Sequence, residues 1–374
     1  MYLILSGRAR MNPRRPSNDA PLVVGPGYPW RMASGVKDLL GQTEMLTQLV
    51  AAARREHLHH CYIFEGPPQV GKRTAAMRLA MAAACAWEGE EVPCGVCTSC
   101  RQIQRGVHPD VIIIEPDPER KSRTISVDQV REVIRVVRLH RFSARWRTVI
   151  FDPADGLMPQ AANALLKTLE EPPPGTGFIL VTSRVSALLP TVRSRSQRVR
   201  FRAVPEDTLT AWLVARGVEA TSAARLSRLS MGCPGKALAL ADGGLAELDK
   251  ARDQLLNVLS EGPTELFDYA ETLSQAKDAR GALDRTLDAL EGLLRDAALV
   301  ASSRGDRLLN ADRPELVAAW ATNLWPTGLD RLQREINHTR ERQQVNVNNR
   351  LLVEALLARV ATELGSARRV GRSG

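Results

Sequence analysis

Four stretches of consecutive apolar residues mark the first half of the chain: Cys61-Tyr62-Ile63-Phe64, Val111-Ile112-Ile113-Ile114, Thr148-Val149-Ile150-Phe151 and Phe178-Ile179-Leu180-Val181. None of them alternates with polar residues. Runs of this length without alternation suit the strands of a parallel sheet that is covered on both faces. Between them lie segments of helical character. Thr74 to Ala86 is rich in Ala, Leu and Met, and Asn163 to Glu171 carries a stripe of Leu165, Leu166 and Leu169 before Pro172-Pro173 stops it. Residues 204–246 read as a small helical lid, with Trp212-Leu213-Val214 and Leu226 to Leu229 on apolar faces and Gly243-Gly244 as a hinge. From Leu248 onward the pattern is helical throughout, in the groups Leu255, Leu256, Val258, Leu259 and then Leu283, Leu287, Leu290, Leu293, Leu294. The last helix follows Asn348 as its cap and is strongly amphipathic. The expected fold is therefore an α/β domain over residues 32–203, a helical lid over 204–246 and an all-α domain over 247–365.

Composition changes this picture only at the ends. An apolar fraction of 44% and a charged fraction of 25% are ordinary for a globular protein of 374 residues, and no apolar run approaches a membrane span. The formal charge is +9, but much of the excess lies in Arg8, Arg10, Arg14, Arg15 and Arg31 and in Arg368, Arg369 and Arg372. The body is only mildly basic, so nucleic-acid contact does not follow from charge. Residues 1–31 and 366–374 are expected to be disordered tails. The first carries no signal-peptide core, and Met32 stands at the edge of the patterned region as a start site, a DNA-touching basic tail being the alternative. A cytoplasmic protein is expected.

The first apolar run leads into Gly66-Pro67-Pro68-Gln69-Val70-Gly71-Lys72, and a helix follows. Strand, glycine loop and helix in that order make a phosphate-binding loop, with backbone amides and Lys72 facing the phosphates. The next position should be a hydroxyl that holds magnesium. It is Arg73, with Thr74 one residue late. The third run ends on Asp152, which fits the acid on the magnesium side, but Pro153 follows where a hydrolase needs a carboxylate to orient water. Asp155 is two residues further along a turn. The pocket is expected to hold a nucleotide and to cleave it poorly.

Four cysteines, Cys85, Cys94, Cys97 and Cys100, follow the loop helix, with two overlapping Cys-x-x-Cys steps. Each step turns successive thiolates toward one tetrahedral centre, and four thiolates leave no open position, so a structural zinc is expected and a catalytic one is not. Buried or disulfide-bonded thiols are the plainer alternative, and reduced surroundings disfavour the disulfides.

Asn163-Ala164-Leu165-Leu166-Lys167-Thr168-Leu169-Glu170-Glu171-Pro172-Pro173 resembles the signature helix of bacterial DNA polymerase III clamp-loader subunits. The cysteine insertion, His108-Pro109-Asp110 and Ile125-Ser126-Val127-Asp128-Gln129-Val130-Arg131 are similar to further segments of that family. Motifs are strong over roughly residues 36–240 and weaker beyond. The resemblance implies an AAA+ type P-loop domain and a C-terminal collar that holds a five-membered ring. It also implies a first sensor at Thr182 and an arginine finger at Arg195, in Ser194-Arg195-Ser196, reaching a neighbour's ATP. Ser196 replaces the family's cysteine. The second sensor arginine corresponds to Gly235, within one residue because Lys236 is adjacent. Arg73, Pro153 and Gly235 each remove a part needed for hydrolysis in cis, whereas Arg195 serves in trans. That combination is similar to the delta-prime branch of the family. The implied partners are gamma/tau and delta subunits, a sliding clamp and primed DNA. A gamma/tau-type ATPase is the alternative, and a DNA-binding zinc protein is a third reading.

Overall fold

The computed structural model describes residues 39–89, 91–117, 124–261, 263–324, 326–343 and 348–370. The expectations for residues 1–31, for Met32 as a start and for residues 371–374 fall outside these. The chain divides into two compact units. One comprises residues 39–209 with Met231–Lys236, the other Thr210–Ser230 with residues 237–370. Of the segment 204–246, residues 204–209 and 231–236 fall in the first unit and residues 210–230 and 237–246 in the second.

The first unit is built on five parallel strands in the order β2-β3-β4-β1-β5. They are β1 (Cys61–Glu65), β2 (Val111–Ile114), β3 (Arg147–Phe151), β4 (Thr176–Thr182) and β5 (Gln197–Arg200). The first four are buried along their whole length, which is why their sequences do not alternate. Helices α1 (Thr43–Arg54) and α2 (Lys72–Ala84) contribute to the core on one side of the sheet. Helices α4 (Val127–Val137) and α5 (Pro159–Glu170) contribute to a separate cluster, with Val130, Val133, Leu165 and Leu169 packed on Ile112, Phe151 and Leu180. The fifth strand escaped the sequence reading. Only Val199 of Gln197-Arg198-Val199-Arg200 is buried, as befits an edge strand, and its two arginines grip Glu65 of β1.

Two family-like segments gain physical meaning here. Ser126 and Gln129 form a reciprocal capping box at the start of α4, and Gln129 Nε2 also donates to the Glu115 carbonyl at 2.9 Å. Asp110 is fully buried at the foot of β2. Its carboxylate accepts the amides of Phe142, Ser143 and Ala144 at 2.8–3.0 Å and meets the Arg147 guanidinium at 3.0 Å. Arg147 in turn donates to the carbonyls of Val136, Leu139 and His140. Burial pushes Asp110 up, but these donors outweigh it and hold the carboxyl below the usual carboxylate range.

The second unit is helical. Helices α7 (Glu206–Val214) and α9 (Pro234–Ala239) cross its sequence boundaries, and it contains α8 (Ala220–Leu229), α10 (Leu245–Glu261), α11 (Pro263–Gln275), α12 (Ala279–Ala301), α13 (Pro314–Leu324), α14 (Thr327–Arg342) and α15 (Asn349–Val370). The leucines at 283, 287, 290, 293 and 294 are all buried against Leu255, Trp320, Leu332, Ile336 and Leu356, the expected stripe. Asn348 does cap α15, accepting the Arg350 amide at 3.0 Å, and the helix runs to Val370, past the boundary drawn at 365. The chain kinks at Gly243, whose φ of +95° breaks the helical path where Gly243-Gly244 predicted a hinge.

Candidate functional site

The phosphate loop leaves β1 at Gly66 and ends at Gly71, the N-cap of α2, with φ of +107°. A side chain at Gly66 would put a Cβ 2.4 Å from the Phe201 carbonyl oxygen, so the bare backbone is required there. Lys72 is buried and its ammonium is turned into the loop, donating to the carbonyls of Gly66 at 2.7 Å and Pro67 at 2.6 Å. Burial pushes this ammonium below its ordinary pKa, partly offset by Asp152 and Asp155.

Arg73 lies where the magnesium-side hydroxyl was expected, and it meets the acids directly. Its Nη1 pairs with Glu115 Oε1 just past β2 and lies 3.3 Å from Asp152 Oδ2 at the end of β3. Thr74, one residue further along α2, is half-buried and does not take over this place. Burial pushes the Asp152 carboxyl up, against the pull of Arg73. The residues present do not suit Mg²⁺, because a fixed cation already stands on the acid that would hold it. Asp155 does not supply the missing base either. It accepts the Thr182 hydroxyl at 2.9 Å and faces Arg184 at 3.6 Å, so Asp155 and Thr182 are engaged with each other. The Gly235 amide donates to the Gln69 carbonyl at 3.0 Å, and a Cβ on residue 235 would lie 2.9 Å from that oxygen, so a backbone contact fills this place. Glu115 was not singled out from sequence; only the adjacency of β2 and β3 brings it beside Asp152.

Arg195 sits elsewhere, after the short helix α6 (Pro190–Arg193). Its guanidinium is 38% exposed, reaches Glu170 Oε1 at 2.7 Å and donates to the Thr191 carbonyl at 3.0 Å. Glu170, the last residue of α5, belongs to the signature segment, yet its sequence reading was only a helix end. Ser196 is half-buried, with its hydroxyl 2.8 Å from the Val192 carbonyl and 3.1 Å from Cys61 Sγ, so it serves packing and leaves the arginine free to point outward.

The four cysteines converge at the end of α2 and the start of α3 (Thr98–Gln104), and their sulfurs all lie within 4.8 Å of one another. Cys85 Sγ is 3.6 Å from Cys94 Sγ and 4.0 Å from Cys97 Sγ. Spacings of this kind match the edges of a tetrahedron of thiolates around a metal, for a metal–sulfur distance of about 2.3 Å. The amides of Cys97 and Cys100 point at the sulfurs of Cys94 and Cys97, each at 3.4 Å. Burial pushes the Cys97 thiol up, but such amide donors prevail and bring it down to about 7. None of the six cysteines is in a disulfide.

With this geometry in view, comparison with known proteins is informative. The family described as DNA polymerase III, delta subunit, matches residues 41–205, and its C-terminal counterpart matches residues 246–362. DNA polymerase III subunit delta-prime of Escherichia coli is 34% identical over 317 residues, which is 84% of this chain and 92% of that protein. The chain belongs to the DNA polymerase III delta/delta-prime family. The delta-prime subunit of Pseudomonas aeruginosa is 36% identical over 45% of this chain and 46% of its own length. A gamma/tau subunit of Mycobacterium tuberculosis is 28% identical over 80% of this chain, which spans about half (53%) of that relative. Among solved structures, a gamma-subunit-related protein of Thermotoga maritima aligns with 86% of this chain and 99% of its own at 21% identity, with a TM-score of 0.40. Membership of the delta/delta-prime family rests on the sequence matches. Among the described residues no helix is long and apolar enough to cross a membrane.

Proposed function

We propose that this chain is the delta-prime-type subunit of a bacterial clamp loader. In that role it joins gamma/tau and delta subunits in a ring that places a sliding clamp on primed DNA. The observation that carries the reading is the pairing of a spoiled cis site with an intact trans residue. Arg73 stands on Asp152, Pro153 supplies no base and Gly235 is bonded to the loop, while Arg195 remains exposed on an outer turn. Its first unit is then an AAA+ type domain and its second unit the collar. Arg195 stabilises charge developing on the γ-phosphate held by a neighbour. In the gamma/tau alternative the chain hydrolyses ATP itself. Purified alone, it is expected to show no turnover above a Lys72→Ala variant, and to complete an active complex when mixed with gamma/tau and delta. Turnover comparable with gamma/tau, lost in Lys72→Ala, would overturn the reading.

Zinc is the metal proposed for Cys85, Cys94, Cys97 and Cys100, as a clip that ties the end of α2 to the start of α3. Bound there, it supplies folding energy rather than chemistry. Elemental analysis should find about one zinc per chain. A Cys97→Ser, Cys100→Ser double variant should lose the metal and expose residues 85–104 to faster proteolysis. Full retention of zinc in that variant would sink the assignment.

A further inference from the structure

We propose that Arg73 is a built-in counter-ion that closes the phosphate loop to magnesium nucleotide, and that this one side chain is what keeps the loop shut. The proposal rests on the reading of residues 66–72 as a disabled nucleotide site and adds which residue disables it.

The first argument is position. Arg73 follows Lys72 in the first turn of α2, and its guanidinium bridges to Glu115, 42 residues away, and to Asp152, 79 residues away. These two acids lie at the ends of neighbouring strands, where a divalent cation would be held. The second argument is charge. A divalent ion beside the guanidinium would meet like-charge repulsion, and the two carboxylates that would attract it are already paired with Arg73. Arg73 therefore opposes entry of the metal.

A metal-free nucleotide fares no better. The Arg73 guanidinium beside its phosphates is already spent on Glu115 and Asp152, so it offers them little attraction. The remaining cation, Lys72, is committed to the carbonyls of Gly66 and Pro67. The turn of the loop itself is kept. Gly66 and Gly71 keep the positive φ that the turn needs, and α2 begins where phosphates would meet its amides. Removing one guanidinium should accordingly reopen the site.

Binding of Mg-ADP to the full chain by calorimetry, at up to about 1 mM nucleotide, tests this. The unmodified chain should show no binding. Arg73→Thr should bind at least about tenfold more tightly than that limit, and should lose binding in EDTA or with Lys72→Ala added. Arg73→Gln guards against misfolding of the first variant, since it keeps side-chain bulk and drops only the charge. It should acquire a Mn²⁺ site, read by paramagnetic broadening, that Asp152→Asn removes. Mg-ADP binding by the unmodified chain would refute the counter-ion. So would a folded Arg73→Thr that binds nothing, together with an Arg73→Gln that takes up no Mn²⁺. Failure to assemble with gamma/tau and delta would count against the functional reading alone.

Discussion

Replacing Arg195 by Ala is expected to leave this chain folded and able to assemble, while ATP turnover at one site of the complex falls by about a thousandfold. The residue lies on an exposed turn and makes one ion pair with a surface carboxylate, so its loss removes little stability. On the proposed reading its value lies in trans. A planar guanidinium offers two parallel donors to charge that develops only in the transition state, which is the kind of interaction that raises kcat rather than binding. Arg195→Lys should recover little, because an ammonium is a point charge without that geometry. Arg193→Ala, two residues away, is the control for loss of local basic charge. Arg198→Ala is not a clean control, since Arg198 is tied to the nearly buried Glu65. Single-turnover measurements on the assembled complex give the readout. Equal and small effects from Arg195→Ala and Arg193→Ala would reduce Arg195 to one member of a basic surface.

The second large effect concerns stability. Asp110→Asn should lower the unfolding free energy by about 3–5 kcal/mol, because it strands the guanidinium of Arg147 in the interior without its counter-charge. Arg147 is 3% exposed, so solvent cannot take over. A pH dependence follows from the depressed carboxyl. The folded pKa lies below the unfolded value, so the contribution is fully present above the ordinary carboxylate range, near 4, and is lost as pH falls through the lower folded value. Denaturant midpoints of the parent and of Asp110→Asn at neutral pH, and again below pH of about 4, should converge on acidification. A loss below about 1 kcal/mol at neutral pH would show that the carbonyls around Arg147 suffice.

Much of this was legible in the residues, for a physical reason. Strands buried on both faces must be apolar throughout, so β1 to β4 announced themselves. The loop glycines were equally plain, since their conformations admit few substitutes. What stayed hidden depended on distance along the chain. β5 carries its identity in two arginines whose partner, Glu65, lies more than a hundred residues earlier, at separations of 133 and 135. Arg73 was visible as a misfit, but its meaning needed Glu115, which only sheet order supplies. The segment 204–246 shows the converse limit. Apolar faces on Leu213 and Leu226 established helices, but a helix pattern does not say which neighbouring body its buried face joins.

The contact between Arg195 and Glu170 carries one more consequence. A half-exposed ion pair of this kind is worth between a few tenths and about 1 kcal/mol, weak enough for thermal motion to break it often. The reach of the arginine is therefore sampled continually, on the timescale of side-chain motion, without any rearrangement of the sheet. Added salt weakens the ion pair further and leaves the Thr191 carbonyl as the main contact holding the guanidinium.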